Sequence, residues 1–183
     1  MDDPVTAPEP ETEEPSTSSE RVHRNWTGYL LALACSVTVV DQLTKAWAVA
    51  VLTGREPVRV VGELVQLRLV RNPGAAFSFA TDATWVFTVI ATTVSLMIIV
   101  IARRCGSGWW AVALGLMLGG ALGNLGDRLF RIPGVGRGHV VDFVALPNFP
   151  VFNVADSCLV ISAVVIGWLG IRGIGMDGSR IDD

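Results

Sequence analysis

Histidine is almost absent from this chain: His23 and His139 are the only two in 183 residues. A serine–histidine catalytic pair would have to use His139, and nothing marks Ser78 or Ser157 as its nucleophile. The three cysteines, Cys35, Cys105 and Cys158, are far apart and form no CxxC, which excludes a disulfide framework. Each reads as a small apolar packing residue. No His/Cys cluster has metal-ligand spacing, so no metal or other cofactor is expected. There is no glycine-rich phosphate loop, and the basic residues are too scattered to form a nucleic-acid surface. Residues 1–20 lack lysine, arginine and aromatics but hold seven acids, Asp2, Asp3, Glu9, Glu11, Glu13, Glu14 and Glu20. Such a stretch cannot bury enough apolar surface to offset its ordering entropy, so residues 1–24 read as a disordered acidic tail. That tail hides a basic body: residues 21–176 carry thirteen Lys/Arg against seven acids, although the whole chain is −3.

What the chain has is apolar length. Its hydrophobic fraction is 51%, and its mean hydropathy is +0.50. A bilayer core takes about 20 apolar residues in helix. Ala83–Ala102 and Cys105–Gly126 are uncharged runs of that length; Thr27–Val51 is broken by Asp41 and Lys45, and Phe152–Ile171 by Asp156. These runs predict an all-α membrane protein with four transmembrane helices over residues 25–172, followed by a short C-terminal tail, 173–183. The ALAC stretch at 32–35 imitates a cleavable lipoprotein signal. The position three before Cys35 is Ala32 rather than leucine, and the apolar run continues past it, so no cleavage is expected there. Arg21 and Arg24 before the first run, and Arg103–Arg104 in a tight loop, favour cytoplasmic termini, because short flanks weigh most in setting orientation.

On the opposite, extracytoplasmic side, Val65, Leu67 and Leu69 alternate with Gln66 and Arg68, the signature of a strand with one covered face. Val58–Val61 is its candidate hairpin partner, and Asn72-Pro73-Gly74 signals a turn. A small β element is therefore expected on that face. Residues 129–151, rich in Gly and Pro, read as a loop returning Asp142 to the membrane surface. Gly115, Gly119 and Gly123 line one face of the third run and should let a neighbouring helix approach closely.

The polar anomalies gather at one membrane face. Asp41 and Lys45 are spaced i, i+4; Asn124 and Asp127, and Asn153 and Asp156, are spaced i, i+3, so each pair shares a helix face. Ionisable groups inside a membrane normally face the bundle interior and mark function. Asp41 and Lys45 can also be a self-neutralising pair, Asp127 and Arg128 interfacial anchors, and Asn124 and Asn153 helix caps or cross-links. Asp142 and Asp156 differ, because neither has a cation within four residues. Two carboxyl groups held close cannot both ionise easily; one keeps a proton while the other acts as a base. Such a pair can activate water and protonate a leaving amine. A proton or ion relay uses the same acids, but the second run and the inner part of the first offer no ionisable path. A non-catalytic scaffold would have no need of paired acids.

The blocks DQLTKAWA (41–48), RNPGAAFSF (71–79), GGALGNLGDRLFR (119–131), GHVVDFV (138–144) and FPVFNVADS (149–157), in this order, resemble the bacterial lipoprotein signal peptidase, or type II signal peptidase, family. The resemblance spans about residues 27–171. It implies a four-helix inner-membrane aspartic endopeptidase with an extracytoplasmic β-cradle, cleaving diacylglyceryl-modified prolipoproteins just before the lipidated cysteine. It places the catalytic pair on Asp142 and Asp156, and supporting or substrate-binding roles on Asp41, Lys45, Asn72, Asn124, Asp127, Arg128 and Asn153. Membrane lipid is an expected partner, a monomer is the expected state, and neither nucleic acid nor metal is expected. The acidic tail and the C-terminal extension lie outside the family core, and the loop between the two aspartates is compact.

Overall fold

The computed structural model describes residues 25–74 and 84–180. The acidic tail, His23, Ser78 and part of the RNPGAAFSF block lie outside the described residues. Among the described residues, four helices are long and apolar enough to cross a membrane: α1 (Thr27–Leu52), α2 (Thr84–Ala102), α3 (Gly108–Phe130) and α4 (Val154–Ile171). Three strands, β1 (Val58–Val61), β2 (Val65–Asn72) and β3 (Val140–Ala145), form one antiparallel sheet in the order β1-β2-β3.

The third helix is the centre of the bundle and packs against the other three. Its glycines explain how. A Cβ at Gly119 would lie 2.6 Å from the Cβ of Val37, and one at Gly115 would lie 3.1 Å from the Leu30 carbonyl, so this face holds the backbone of α1 at very short range. A Cβ at Gly120 would lie 2.6 Å from the Ala155 carbonyl, so the neighbouring face admits α4. Close backbone approach of this kind is what small residues provide where lipid tails are as apolar as the helices themselves. Away from the sheet, Leu30, Ala34, Ile98, Ala111, Leu114 and Leu118 fill the space between α1, α2 and α3. The outward faces stay apolar for lipid, as at Val100, Val160 and Val164.

The predicted hairpin forms, with Val58 opposite Leu67 and Arg59 opposite Gln66. The covered face of β2 is also as expected, since Leu67 and Leu69 pack with Phe143 over the end of α1 at Ala48 and Leu52. The stretch read as a loop differs in one respect. Residues 140–145 are a strand that pairs with β2, bringing Asn72 opposite Val140 and Val70 opposite Asp142. Phe152 then bonds back to Val144 and Phe143, so the chain enters α4 directly from the sheet. At the far end, residues 173–180 fold back instead of trailing away. Ile174 bridges Arg180, and the backbone amides of Gly106 and Ser107 donate to the Met176 carbonyl.

Candidate active site

Asp142 comes from the middle of β3, and Asp156 from the first turn of α4. Asn153 joins them. It is the N-cap of α4: its side-chain oxygen accepts the Asp156 N–H, while the Asp156 carboxylate accepts the Asn153 N–H, a reciprocal capping box. With its oxygen committed to the cap, the Asn153 amide must present its NH2 elsewhere. It donates to Asp142 Oδ1 at 2.6 Å and to Asn124 Oδ1 at 3.2 Å. The other Asp142 oxygen accepts from Asn72 Nδ2 at 2.9 Å. The Asn72 amide is likewise fixed, because its oxygen accepts the Gly74 N–H in the predicted turn.

Behind this pair lies a second buried cluster. The Lys45 ammonium uses three contacts: Asp41 at 2.8 Å, Asp127 at 2.9 Å and Asn124 Oδ1 at 2.9 Å. The Asn124 NH2 then points at Asp156 Oδ1, 2.8 Å away. Lys45, Asp41 and Asp127 are each 0% exposed, so the lysine does not snorkel to the interface. Its i, i+4 pairing with Asp41 is real but forms only part of a three-helix knot. Asp41 also accepts the Ala155 N–H from α4 at 2.9 Å. Asp127 accepts the Val141 N–H from β3 at 3.0 Å and the Nε–H of Arg131, the C-cap of its own helix. One carboxylate thus ties α1 to α4, and the other ties α3 to the strand that carries Asp142.

Arg128 is buried rather than anchored at the interface. Its guanidinium lies 5.1 Å from the Phe87 ring centroid, and among the described residues its buried Nη1 has no hydrogen-bond partner. The carboxylates that act on it are Asp142 first, then Asp127 and Asp156. The pair that seemed to lack a cation in sequence therefore faces one in space. Burial pushes the Asp142 carboxyl up to about 6; the Asn72 and Asn153 hydrogen bonds oppose that shift, and the Asp156 charge adds to it.

All nine residues singled out in the sequence meet at this one end of the bundle. Sequence reasoning missed four contributors. Gln42 cross-braces α1 to α3, donating from Nε2 to the Gly123 carbonyl at 2.9 Å and to Asp41 and Asp127 at 3.3 Å each; its signal was a polar residue beside Asp41 inside an apolar run. Arg131 stands four residues after Asp127, a spacing that could have been read as an ion pair. The backbone donors of Val141 and Ala155 have no sequence signal at all.

Beside the site, an apolar cavity of about 510 Å³ opens between α4 and the loop before it. Asn72 and Asp156 lie on its wall with Phe149, Phe152, Val160 and Ile161. Among the described residues no His/Cys/Asp/Glu group is arranged to hold a metal. Two carboxyls bridged by Asn153, Asp142 raised toward neutrality and Asp156 on the wall of an apolar cavity, are a set that can carry acid–base chemistry at the end of a membrane bundle.

Comparison with known proteins narrows that class. The family model described as signal peptidase (SPase) II matches residues 33–172. A lipoprotein signal peptidase of Rhodococcus jostii is 52% identical over 151 residues, covering 82% of this chain and 76% of that protein. One from Mycolicibacterium smegmatis is 47% identical over 175 residues, covering 96% and 72%. Two solved structures described as bacterial membrane enzymes share the fold. One has a TM-score of 0.73 at 26% identity, covering 82% of this chain and 97% of the other; the second has 0.69 at 27%, covering 85% and 93%. The chain belongs to the signal peptidase II family: it is a multi-pass membrane aspartic endopeptidase.

Proposed function

We propose that Asp142 and Asp156 are the catalytic pair of this peptidase, and that it removes signal peptides from diacylglyceryl-modified prolipoproteins by cleaving before the lipidated cysteine. The observation that carries this reading is the meeting of two carboxyls from different elements, bridged by Asn153, with Asp156 on the wall of an apolar cavity.

The charges of the site favour a single shared proton. Asp41 and Asp127 are balanced by Lys45 and Arg131. That leaves Arg128 facing Asp142 and Asp156, so the cluster is neutral when the pair carries one proton. A low-dielectric site strongly favours that neutral state. One member of the pair takes a proton from water as the water adds to the scissile carbonyl, and the other supplies the proton that the carbonyl oxygen needs. The reverse transfers release the amine. General acid–base help of this kind contributes roughly 10²–10⁴-fold.

Asp41, Lys45, Asn124, Asp127 and Asn153 hold the pair in place, Arg128 balances its charge, and Asn72 also lines the cavity beside it. The apolar cavity takes acyl chain, whose burial contributes about 0.8 kcal/mol per CH₂. The sheet lies beside it as a cradle for the extended peptide. With the sheet end outside, both termini face the cytoplasm and the site works at the extracytoplasmic surface. The enzyme acts as a monomer with no metal or cofactor. The test compares one membrane-inserted prolipoprotein with and without its diacylglyceryl group. Cleavage of the lipidated form alone is expected. Equal rates at the same bond would show that the substrate helix sets the register, and a general intramembrane protease would be the better description.

A further inference from the structure

The two aspartates of the proposed pair have unequal surroundings, and the inequality bears on which proton sits where. Asp156 is in the first turn of α4, where the helix dipole favours an anion. Its carboxylate accepts a backbone N–H from Asn153 at 3.2 Å and an amide N–H from Asn124 at 2.8 Å. The second donor cannot turn away. Lys45 holds the Asn124 oxygen at 2.9 Å and has no lone pair with which to accept an N–H, so the Asn124 NH2 must face Asp156. A cation on the far side of that amide polarises it and makes it a better donor. Asp142 lies in mid-strand at 1% exposure, whereas Asp156 is partly exposed. Among the described residues, the Asp142 carboxylate receives two neutral side-chain amides and no backbone N–H.

We propose, on the reading of these residues as the catalytic pair, that Asp142 holds the shared proton and acts as the acid, while Asp156 is the anion that serves as base. Among the described residues, the charged groups that act on Asp142 from the elements around it are Lys45 on α1, Arg128 on α3 and Asp156 on α4. Arg128 weighs toward an anionic Asp142. It does so without a hydrogen bond from Nη1 among the described residues and with its charge divided among three carboxylates, so it does not outweigh the burial that lifts the Asp142 carboxyl.

The cycle balances with these roles. Asp156 removes a proton from water, the hydroxyl oxygen bonds to the scissile carbon, and Asp142 protonates the carbonyl oxygen to give a neutral diol. Asp156 then passes its proton to the nitrogen as the C–N bond breaks, and Asp142 recovers a proton from one diol hydroxyl. The pair ends with its starting protonation.

The assignment is tested by asking which limb of the pH–rate profile each neighbour moves. With purified enzyme and a lipidated prolipoprotein, the acid limb of kcat/KM reports the base and the alkaline limb reports the acid. Asn124→Leu removes the donor that stabilises the Asp156 anion and should raise the acid limb by about one pH unit, leaving the alkaline limb in place. Asn72→Leu removes a donor to Asp142 and should raise the alkaline limb instead. The opposite pattern, or equal movement of both limbs in both variants, would overturn the assignment while leaving the catalytic pair intact. Absence of cleavage by the wild type at every pH would overturn the pair itself. Should Asn124→Leu fail to fold, an active-site epoxide on the wild type decides, because an ionised carboxylate opens the ring while its protonated partner supplies the proton. The ester is expected on Asp156; an ester on Asp142, or on both equally, overturns the roles.

Discussion

Lys45→Met removes the one cation that touches Asp41, Asp127 and Asn124 at once. Methionine is close in length and leaves little void, so the change is almost purely electrostatic. The lysine contacts lie at 2.8–2.9 Å between groups that are 0% exposed. Breaking a buried pair from one side costs about 3–5 kcal/mol, because a charge is left without its partner. Asp127 keeps Arg131 and the Val141 N–H, so the uncompensated charge falls on Asp41. For a chain of this size each kcal/mol moves the melting temperature by about 2–4 °C, so thermal unfolding in detergent should fall by roughly 6–20 °C. Adding Asp41→Leu to Lys45→Met removes the stranded carboxylate and should recover much of that loss. Melting within about 3 °C of wild type for the single variant, or a double variant no better than the single, would refute the account of the cluster.

The remaining expectations follow from the same contacts. Gly119→Ala puts a Cβ 2.6 Å from that of Val37 and should cost about 1–3 kcal/mol in thermal unfolding by forcing α1 from α3. The Asp142 carboxyl rises from an ordinary value of 3.8 to about 6, so the folded state binds more protons than the unfolded state between those values. Its contribution, about 3 kcal/mol, is present below pH 4 and lost as pH rises through about 6; the slope of stability with pH over that window should flatten in Asp142→Asn. Chelators should leave turnover intact, and inhibition by EDTA that zinc reverses would overturn the metal-free chemistry.

Much of this architecture was legible because a bilayer writes itself into sequence as length. All four spans lie within a few residues of their apolar runs, and the β1–β2 hairpin follows from the alternation in β2 and the short apolar run before it. What stayed hidden has local causes. The stretch Val140–Ala145 does not alternate, since Val140 to Phe143 are buried on both faces, and it lies between Gly- and Pro-rich flanks. The third helix runs on to Phe130 past Asp127 and Arg128 because both charges are paired or enclosed by neighbours, not solvated at a helix end. The fourth helix starts at Val154 because Asn153 is spent as its cap. Asp142 and Asp156 could be marked as acids without local cations, but Arg128 beside them depends on α3 and β3 packing together, which no spacing reveals.

The most direct test of the catalytic pair is cleavage of a diacylglyceryl-modified prolipoprotein by purified Asp142→Asn and Asp156→Asn enzymes, with binding of uncleaved substrate measured in parallel. Each variant should bind substrate and cut nothing detectable, because either change removes the shared proton or its acceptor. Turnover near the wild-type rate in either folded variant would contradict the account and remove that residue from the pair.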